Sequence, residues 1–393
     1  MGRWVALAVA VAALAVPGAA QASGGMAIGA AEDAAKEPTL LLAKTKMDLA
    51  KLAGLNAIRL TAQWRLGETA PPAWELASLQ NAVDAADMDA ITVYVSVYPA
   101  GSSQTPRTAA QRADFVSYAT SLAQSLPSVT RFIVGNEPNL NRFWMPQFSK
   151  KGVDVGAPAY ERLLAQTYDA LKAVSPSITV IGGAVSPRGN DTISSKKHSP
   201  TTYIHDLGLA YRYSGRTRPI MDEFSFHPYE DNSSIPPSFE HPRSTTISLA
   251  DYPKLVELLG EAFDGTSQLG STLPIVYDEF GVQSKIPADK ASLYQGPQPA
   301  SIKPVSEATQ GTYYAEALAM AACQPTVAAI LLFHVSDEPF LARWHSGLFY
   351  ADDTPKASLP VVQRAIESLR TDGMPGCTVA GAKAFAARSA FSH

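Results

Sequence analysis

The sequence predicts a single-domain α/β fold, a (β/α)8 TIM barrel. Short apolar, β-branched runs alternate with helical stretches along the chain, and strands alternating with helices imply a parallel sheet. The runs are apolar almost without interruption, which requires burial on both faces. Eight such units close a sheet whose active-site loops sit at the C-terminal ends of the strands. The alternative, a doubly wound open sheet, lacks a glycine-rich phosphate turn after its first strand.

Met26-Ala27-Ile28-Gly29 is the candidate first strand, followed by a loop over 33–38 and a helix over 47–55 that stops near Gly54. Ala57 to Thr61 is the second strand and 72–86 its helix. Ile91 to Tyr98, heavily β-branched, is the third strand, followed by a helix over 109–125. Phe132-Ile133-Val134 is a short buried strand that Pro138 stops. A helix over 158–174 places Leu163, Leu164, Tyr168 and Leu171 on one face. The strand Ile178 to Ala184, the helix 202–213, the strand Met221 to His227 and the helix 252–263 continue the alternation. A strand over 274–281, a helix over 307–322, the very apolar strand 327–334 and a helix over 359–369 complete it. Three polar or proline-rich loops, 188–199, 230–246 and 284–304, each follow a strand, so they are expected to wall a cleft on the active face. Ordinary surface insertion is the alternative for each. Residues 375–393 read as a weakly structured tail.

The barrel is assigned to residues 23–374. Residues 1–22 read as a signal peptide: Arg3 supplies positive charge, Trp4 to Val16 are apolar, and Ala20-Gln21-Ala22 offers a small-x-small cleavage site before Ser23. The apolar run is short for a membrane span, although an uncleaved anchor is the alternative. A secreted or extracytoplasmic protein without stable membrane insertion is expected. The net charge of −4 without a basic run argues against nucleic acid and anionic membranes as partners. Cys323 and Cys377 lack metal-ligand spacing; export allows them to pair, which would tie the tail to the barrel.

Two carboxylates carry the functional reading. In Gly135-Asn136-Glu137-Pro138, Glu137 ends the fourth strand, and in Tyr277-Asp278-Glu279-Phe280 a carboxylate ends the seventh. Both belong on one rim. Paired carboxylates are what glycoside cleavage requires, one protonating the leaving oxygen while the other attacks the sugar carbon or activates water. Arg59, Tyr98, His227 and His334 are placed at strand ends as well. Alternation puts Asp278 on the other face of its strand or at the mouth, and Glu223, early in the sixth strand, is read as structural. His227 and His334 show no His-Glu-x-x-His spacing, so no metal or other cofactor is expected.

With these residues the chain resembles the clan of retaining glycoside hydrolases built on (β/α)8 barrels, in which the acid/base Glu follows Asn at strand four and the nucleophile ends strand seven. Asn136-Glu137-Pro138-Asn139-Leu140, Phe143-Trp144, Tyr160 and Gly182-Gly183 are similar to glycoside hydrolase family 39, and Arg59 also suits family 5. The resemblance implies that Glu137 is the acid/base and Glu279 the nucleophile. It implies that Asn136 donates to the sugar 2-hydroxyl, Arg59 makes a charge-assisted bond to Glu279, and His227 or Tyr229 hydrogen-bonds the nucleophile. Each of these has a structural alternative: a capping amide for Asn136, an ion pair within the barrel for Arg59, a satisfied core side chain for His227. The chain departs from the clan in carrying His334 where Trp is common; Trp344, in the next loop, is the candidate platform. Trp64 and Trp144 are further candidates for stacking on sugar, or for packing within loops. An obvious second β-sandwich domain is missing.

The expected function is therefore a secreted, monomeric retaining glycosidase acting on O-glycosidic bonds of an oligo- or polysaccharide. A carbohydrate-binding barrel without turnover, or a transglycosylase, is the alternative.

Overall fold

The computed structural model describes residues 25–374 and 376–391; the expected signal peptide lies outside them. Eight parallel strands form a closed barrel in sequence order. They are β1 (Ala27–Ala31), β2 (Ala57–Trp64), β3 (Thr92–Pro99), β4 (Arg131–Val134), β5 (Thr179–Val185), β6 (Glu223–Phe226), β7 (Ile275–Phe280) and β8 (Val327–Leu332). Closure comes from β8 pairing with β1, Ala27 opposite Ala329 through Ala30 opposite Leu332. Around the barrel lie α1 (Leu40–Leu52), α2 (Ala73–Met88), α3 (Ala109–Ser125), α4 (Gly156–Val174), α5 (Pro200–Tyr213), α6 (Tyr252–Phe263), α7 (Glu307–Ala322), α8 (Leu359–Thr371) and α9 (Val379–Phe391).

The core has two parts, because each strand sends alternate side chains to opposite faces. The outer and larger part lies between the sheet and the helices. The inner part is small: Ala57, Tyr94, Ile133, Ile181, Val276 and Leu331 are among the residues that fill the barrel itself. Early in the strands, Arg131 donates to both carboxylate oxygens of Glu223 at 2.9 Å and lies over the Tyr94 ring. Glu223 thus has the structural role that its early position in β6 suggested.

The start of α1 is set by a cap rather than by apolar periodicity. Thr39 accepts from the Leu42 amide and starts α1 seven residues before the expected helix. The extra turns expose Leu40, Leu41 and Leu42, so the amphipathic pattern did not reveal them. The expected loop over 33–38 contains a short 3-10 turn at Asp33–Ala35.

The segment expected as a tail contains a helix: Val379–Phe391 form α9, which packs on α7 and α8. Ala382, Phe385 and Ala386 are buried there, at the i, i+3, i+4 spacing of one helical face. Arg364 holds the last turn by donating to the Ser389 carbonyl. Cys377 precedes this helix and is disulfide-bonded to Cys323 at the C-cap of α7, with the Cα atoms 5.2 Å apart.

The three long loops are all tied down. Asn139 bonds both Ser186 and the His198 carbonyl, which fixes the loop after β5. Lys254 donates to the carbonyls of His241, Ser244 and Thr246 in the loop after β6. The loop after β7 is held by a buried pair in which Lys356 donates to Asp337 and Ser284, while Tyr294 donates to the same Asp337.

Candidate active site

The C-terminal ends of the strands surround a cleft of about 550 Å³. Polar side chains from the strands and their ends line it, among them Arg59, Asn136, Glu137 and Glu279, and the backbone that carries Glu137 is unusual. Gly135 turns at φ 104°, and Glu137 follows at φ 40°, a left-handed conformation that few non-glycine residues adopt. On the neighbouring strand Gly183 and Ala184 also take positive φ, and the register of β5 against β6 shifts there. The two irregularities meet, because the Glu137 amide donates to the Ala184 carbonyl at 2.7 Å. Strain at two adjacent strand ends is overcome by the surrounding packing and fixes where Glu137 projects.

Glu279 is held through both carboxylate oxygens. Arg59 Nη1 donates to Oε1 at 2.5 Å, and the Tyr229 hydroxyl donates to Oε2 at 3.1 Å. Arg59 is not at a strand end as expected. It is the third residue of β2, and its long side chain spans the difference. Its Nη2 donates to Asn136 Oδ1 at 3.1 Å and to Ser96, which leaves the Asn136 amide nitrogen as the donor end of that side chain. Burial opposes the charge on Arg59, but Glu279 and Asp278 outweigh it and raise the guanidinium further. Burial, reinforced by Glu279 and Glu137, raises the Tyr229 phenol well above its ordinary value, so the phenol keeps its proton and remains a donor.

His227 is fully buried and lies beneath the cleft rather than on its wall. Its Nδ1 is 3.3 Å from Glu137 Oε1 and 3.5 Å from Glu279 Oε2. One nitrogen therefore joins the two candidate carboxylates. Both carboxylates thus face the same point of the cleft floor.

The sequence leaves Asp278 either on the other strand face or at the mouth; in the structure the register of β7 against β8 shifts between Tyr277 and Phe280, and Asp278 and Glu279 both face Arg59. An irregularity of one strand against its neighbour leaves no mark in the pattern of apolar residues.

The aromatic expectations divide. Trp344 lines the cleft and lies 5.0 Å from the Tyr229 ring, with Phe333 edge-on at 5.2 Å. Trp64 and Trp144 are buried and pack against Phe115 and Tyr160; neither is available to a ligand. Tyr98 and His334 both line the cleft, and His334 Nδ1 donates to the Ala31 carbonyl at 2.6 Å.

No family model matches the chain, and no curated sequence does. Solved structures match at the level of the fold. A family 39 glycoside hydrolase of Bacteroides cellulosilyticus WH2 superposes over 88% of this chain and 65% of its own length, with a TM-score of 0.61 at 18% identity. A family 39 β-xylosidase of Caulobacter crescentus covers 86% of this chain and 70% of its own, with a TM-score of 0.53 at 18% identity. A family 5, subfamily 18 enzyme of Streptomyces cattleya, solved with Manβ1-4GlcNAc, covers 88% and 81%, with a TM-score of 0.57 at 15% identity. The barrel is similar to those of glycoside hydrolases. Families 39 and 5, the two that the sequence resembles, are both among its structural neighbours. The chain spans just under two thirds of the Bacteroides enzyme.

Proposed function

We propose that this protein is a retaining glycoside hydrolase acting on a β-linked oligo- or polysaccharide, exported by way of its N-terminal segment. The observation that carries the reading is the joining of Glu137 and Glu279 through His227 Nδ1 at the floor of one cleft. Two carboxylates meeting at one point of a cleft fit the acid/base and nucleophile pair of a retaining enzyme, and the stereochemistry of the product decides between direct attack and attack by water. The β-linkage is supported by the β-xylosidase and by the Manβ1-4GlcNAc complex among the neighbours.

Glu279 attacks the anomeric carbon. Arg59 and Tyr229 grip its two oxygens and aim it, which limits the reorganisation needed at the moment of attack. Glu137 gives its proton to the departing glycosidic oxygen and afterwards takes one from the water that releases the sugar. The Asn136 amide donates to the sugar's 2-hydroxyl, a bond that strengthens as positive charge grows on the ring. Trp344 offers an apolar face for the ring to stack on.

The test is a panel of aryl β-glycosides, with the anomeric form of the first product read by proton NMR. Retained β-product supports the reading. Inverted product removes the double-displacement mechanism. Binding without turnover across sugars and polysaccharides favours the carbohydrate-binding alternative.

A further inference from the structure

We propose that Asp278 is a positioning residue whose buried carboxylate keeps His227 in the doubly protonated form that donates to the Glu137 and Glu279 pair. The kinetic part of this inference rests on the glycosidase reading; the protonation part does not.

The geometry begins with the shift in β7. Regular alternation would separate Asp278 from Glu279, but the shift turns both toward Arg59, whose Nη1 is 3.4 Å from Asp278 Oδ2 and 2.5 Å from Glu279 Oε1. Asp278 is fully buried. A buried carboxylate persists only with compensating charge and hydrogen bonds. Asp278 has Arg59 on one side, the Ser225 hydroxyl donating to Oδ1, and His227 Nε2 at 3.2 Å from that same oxygen.

His227 therefore faces carboxylates through both ring nitrogens. Neutral imidazole carries one N–H, so it can donate to only one side; the charged form donates to both. The groups packed around it come from four elements: Arg59 from β2, Glu137 from the end of β4, Ser225 and Tyr229 from β6 and its loop, and Asp278 and Glu279 from β7. Arg59 and His227 supply two positive charges against two negative ones on Asp278 and Glu279. That count balances when Glu137 is the group that carries and delivers the proton. Burial works against a charged imidazole, yet Glu279 and Asp278 push His227 up to about 10.

The protonation state matters to the reaction. With Nδ1–H present, His227 donates to the carboxylates and leaves the proton of Glu137 free for the leaving oxygen. A neutral His227 holding its one proton on Nε2, toward Asp278, would present a lone pair at Nδ1. It would then accept the very proton that Glu137 must deliver.

The experiment uses full-length protein with ¹⁵N-labelled histidine, the His227 signals being assigned by their loss in His227→Gln. In the wild type both ring nitrogens should remain protonated from neutral pH to about pH 9. In Asp278→Asn the His227 titration should fall by more than about one unit, and the basic limb of kcat/KM should move the same way. Wild-type titration near the ordinary histidine value of ~6.5, or a smaller fall in the variant, overturns the proposal. Should Asp278→Asn fail to fold, Glu279→Gln decides. His227 keeps both protons at neutral pH if Asp278 holds it, and loses one there if Glu279 does. Absence of turnover in the wild type would remove the proposed function while leaving the titration readable.

Discussion

Tyr160 stands against Gly135 so closely that a Cβ on the glycine would lie 2.8 Å from its ring. Its hydroxyl donates to the Val134 carbonyl at 2.6 Å and accepts from the Gly183 amide at 2.8 Å. The β4–β5 ladder pairs Ile133 with Ile181 as its last register, so one phenol continues the seam where the backbone ladder stops. The two turns that set Glu137 are joined at this point.

Gly135→Ala should therefore fail on two counts, since φ is 104° and the methyl meets a packed ring. A loss of about 2–4 kcal/mol is expected, measured by urea unfolding. Tyr160→Phe keeps the ring and removes the bridge, with an expected cost of about 1–3 kcal/mol and a larger drop in kcat than in substrate binding. A Gly135→Ala protein as stable as wild type would show that the seam is not under this constraint.

Glu230 gives a pH prediction. Its side chain is 6% exposed, with His241 Nε2 3.7 Å from Oε2, beyond hydrogen-bonding distance. Burial first, then Asp251 and Asp231, outweigh the Ser248 hydroxyl and Arg188 and raise it to about 8. The folded protein thus binds this proton more tightly than the unfolded chain, whose glutamate titrates near ~4.3. Stability contributed by the neutral form is present below that value and lost as pH rises through about 8. Glu230→Gln should match wild type near pH ~4 and exceed it by on the order of 1–3 kcal/mol near pH ~9. Denaturant melts at the two pH values decide it, and a gain that does not grow with pH would count against the assignment.

The disulfide closes a loop with a sequence separation of 54. The chain-entropy model gives about 4 kcal/mol for such a loop as an upper figure. Cys323→Ser with Cys377→Ser should lower stability by up to that amount and make α9 the first site of proteolysis. Neither cysteine lines the cleft, so kcat/KM of the folded protein should not change. Mass-spectrometric mapping of early cleavage sites checks the first part.

What could be read in advance follows from which interactions are local. The strands were legible because runs such as Val327 to Leu332 are apolar on both faces. Glu137 and Glu279 stood out because each ends such a run, where packing gives a carboxylate no purpose. The cap at Thr39 was a missed local signal, and so was the Ala382, Phe385, Ala386 stripe of α9. Other features depend on neighbours that sequence does not name. The shift that lets Glu279 face the same way as Asp278 belongs to β7 and β8 jointly. The sequence ends the second strand at Thr61 and so puts Arg59 near its end; β2 runs on to Trp64, and the length of the Arg59 side chain does the reaching. Trp64 and Trp144 had loop-like surroundings in sequence, yet Phe115 and Tyr160 bury them from distant helices.

The roles of Glu137 and Glu279 can be separated by the configuration of a rescued product. Glu279→Ala removes the proposed nucleophile and leaves a gap on the face from which it attacks. Activity should fall steeply on every substrate, whatever its leaving group. Azide entering that gap displaces the aglycone once, so its product should be inverted. Glu137→Ala removes the proposed acid. Poor leaving groups should lose most, since they depend on the proton, while an activated aryl glycoside should still form the glycosyl-enzyme and accumulate it. Azide then attacks that intermediate without needing a base, and two displacements give retained product. Mass spectrometry of the accumulated protein should show the added sugar on Glu279. Inverted azide product from Glu137→Ala with retained product from Glu279→Ala would reverse the assignment. Wild-type turnover in both variants would place the chemistry elsewhere in the cleft.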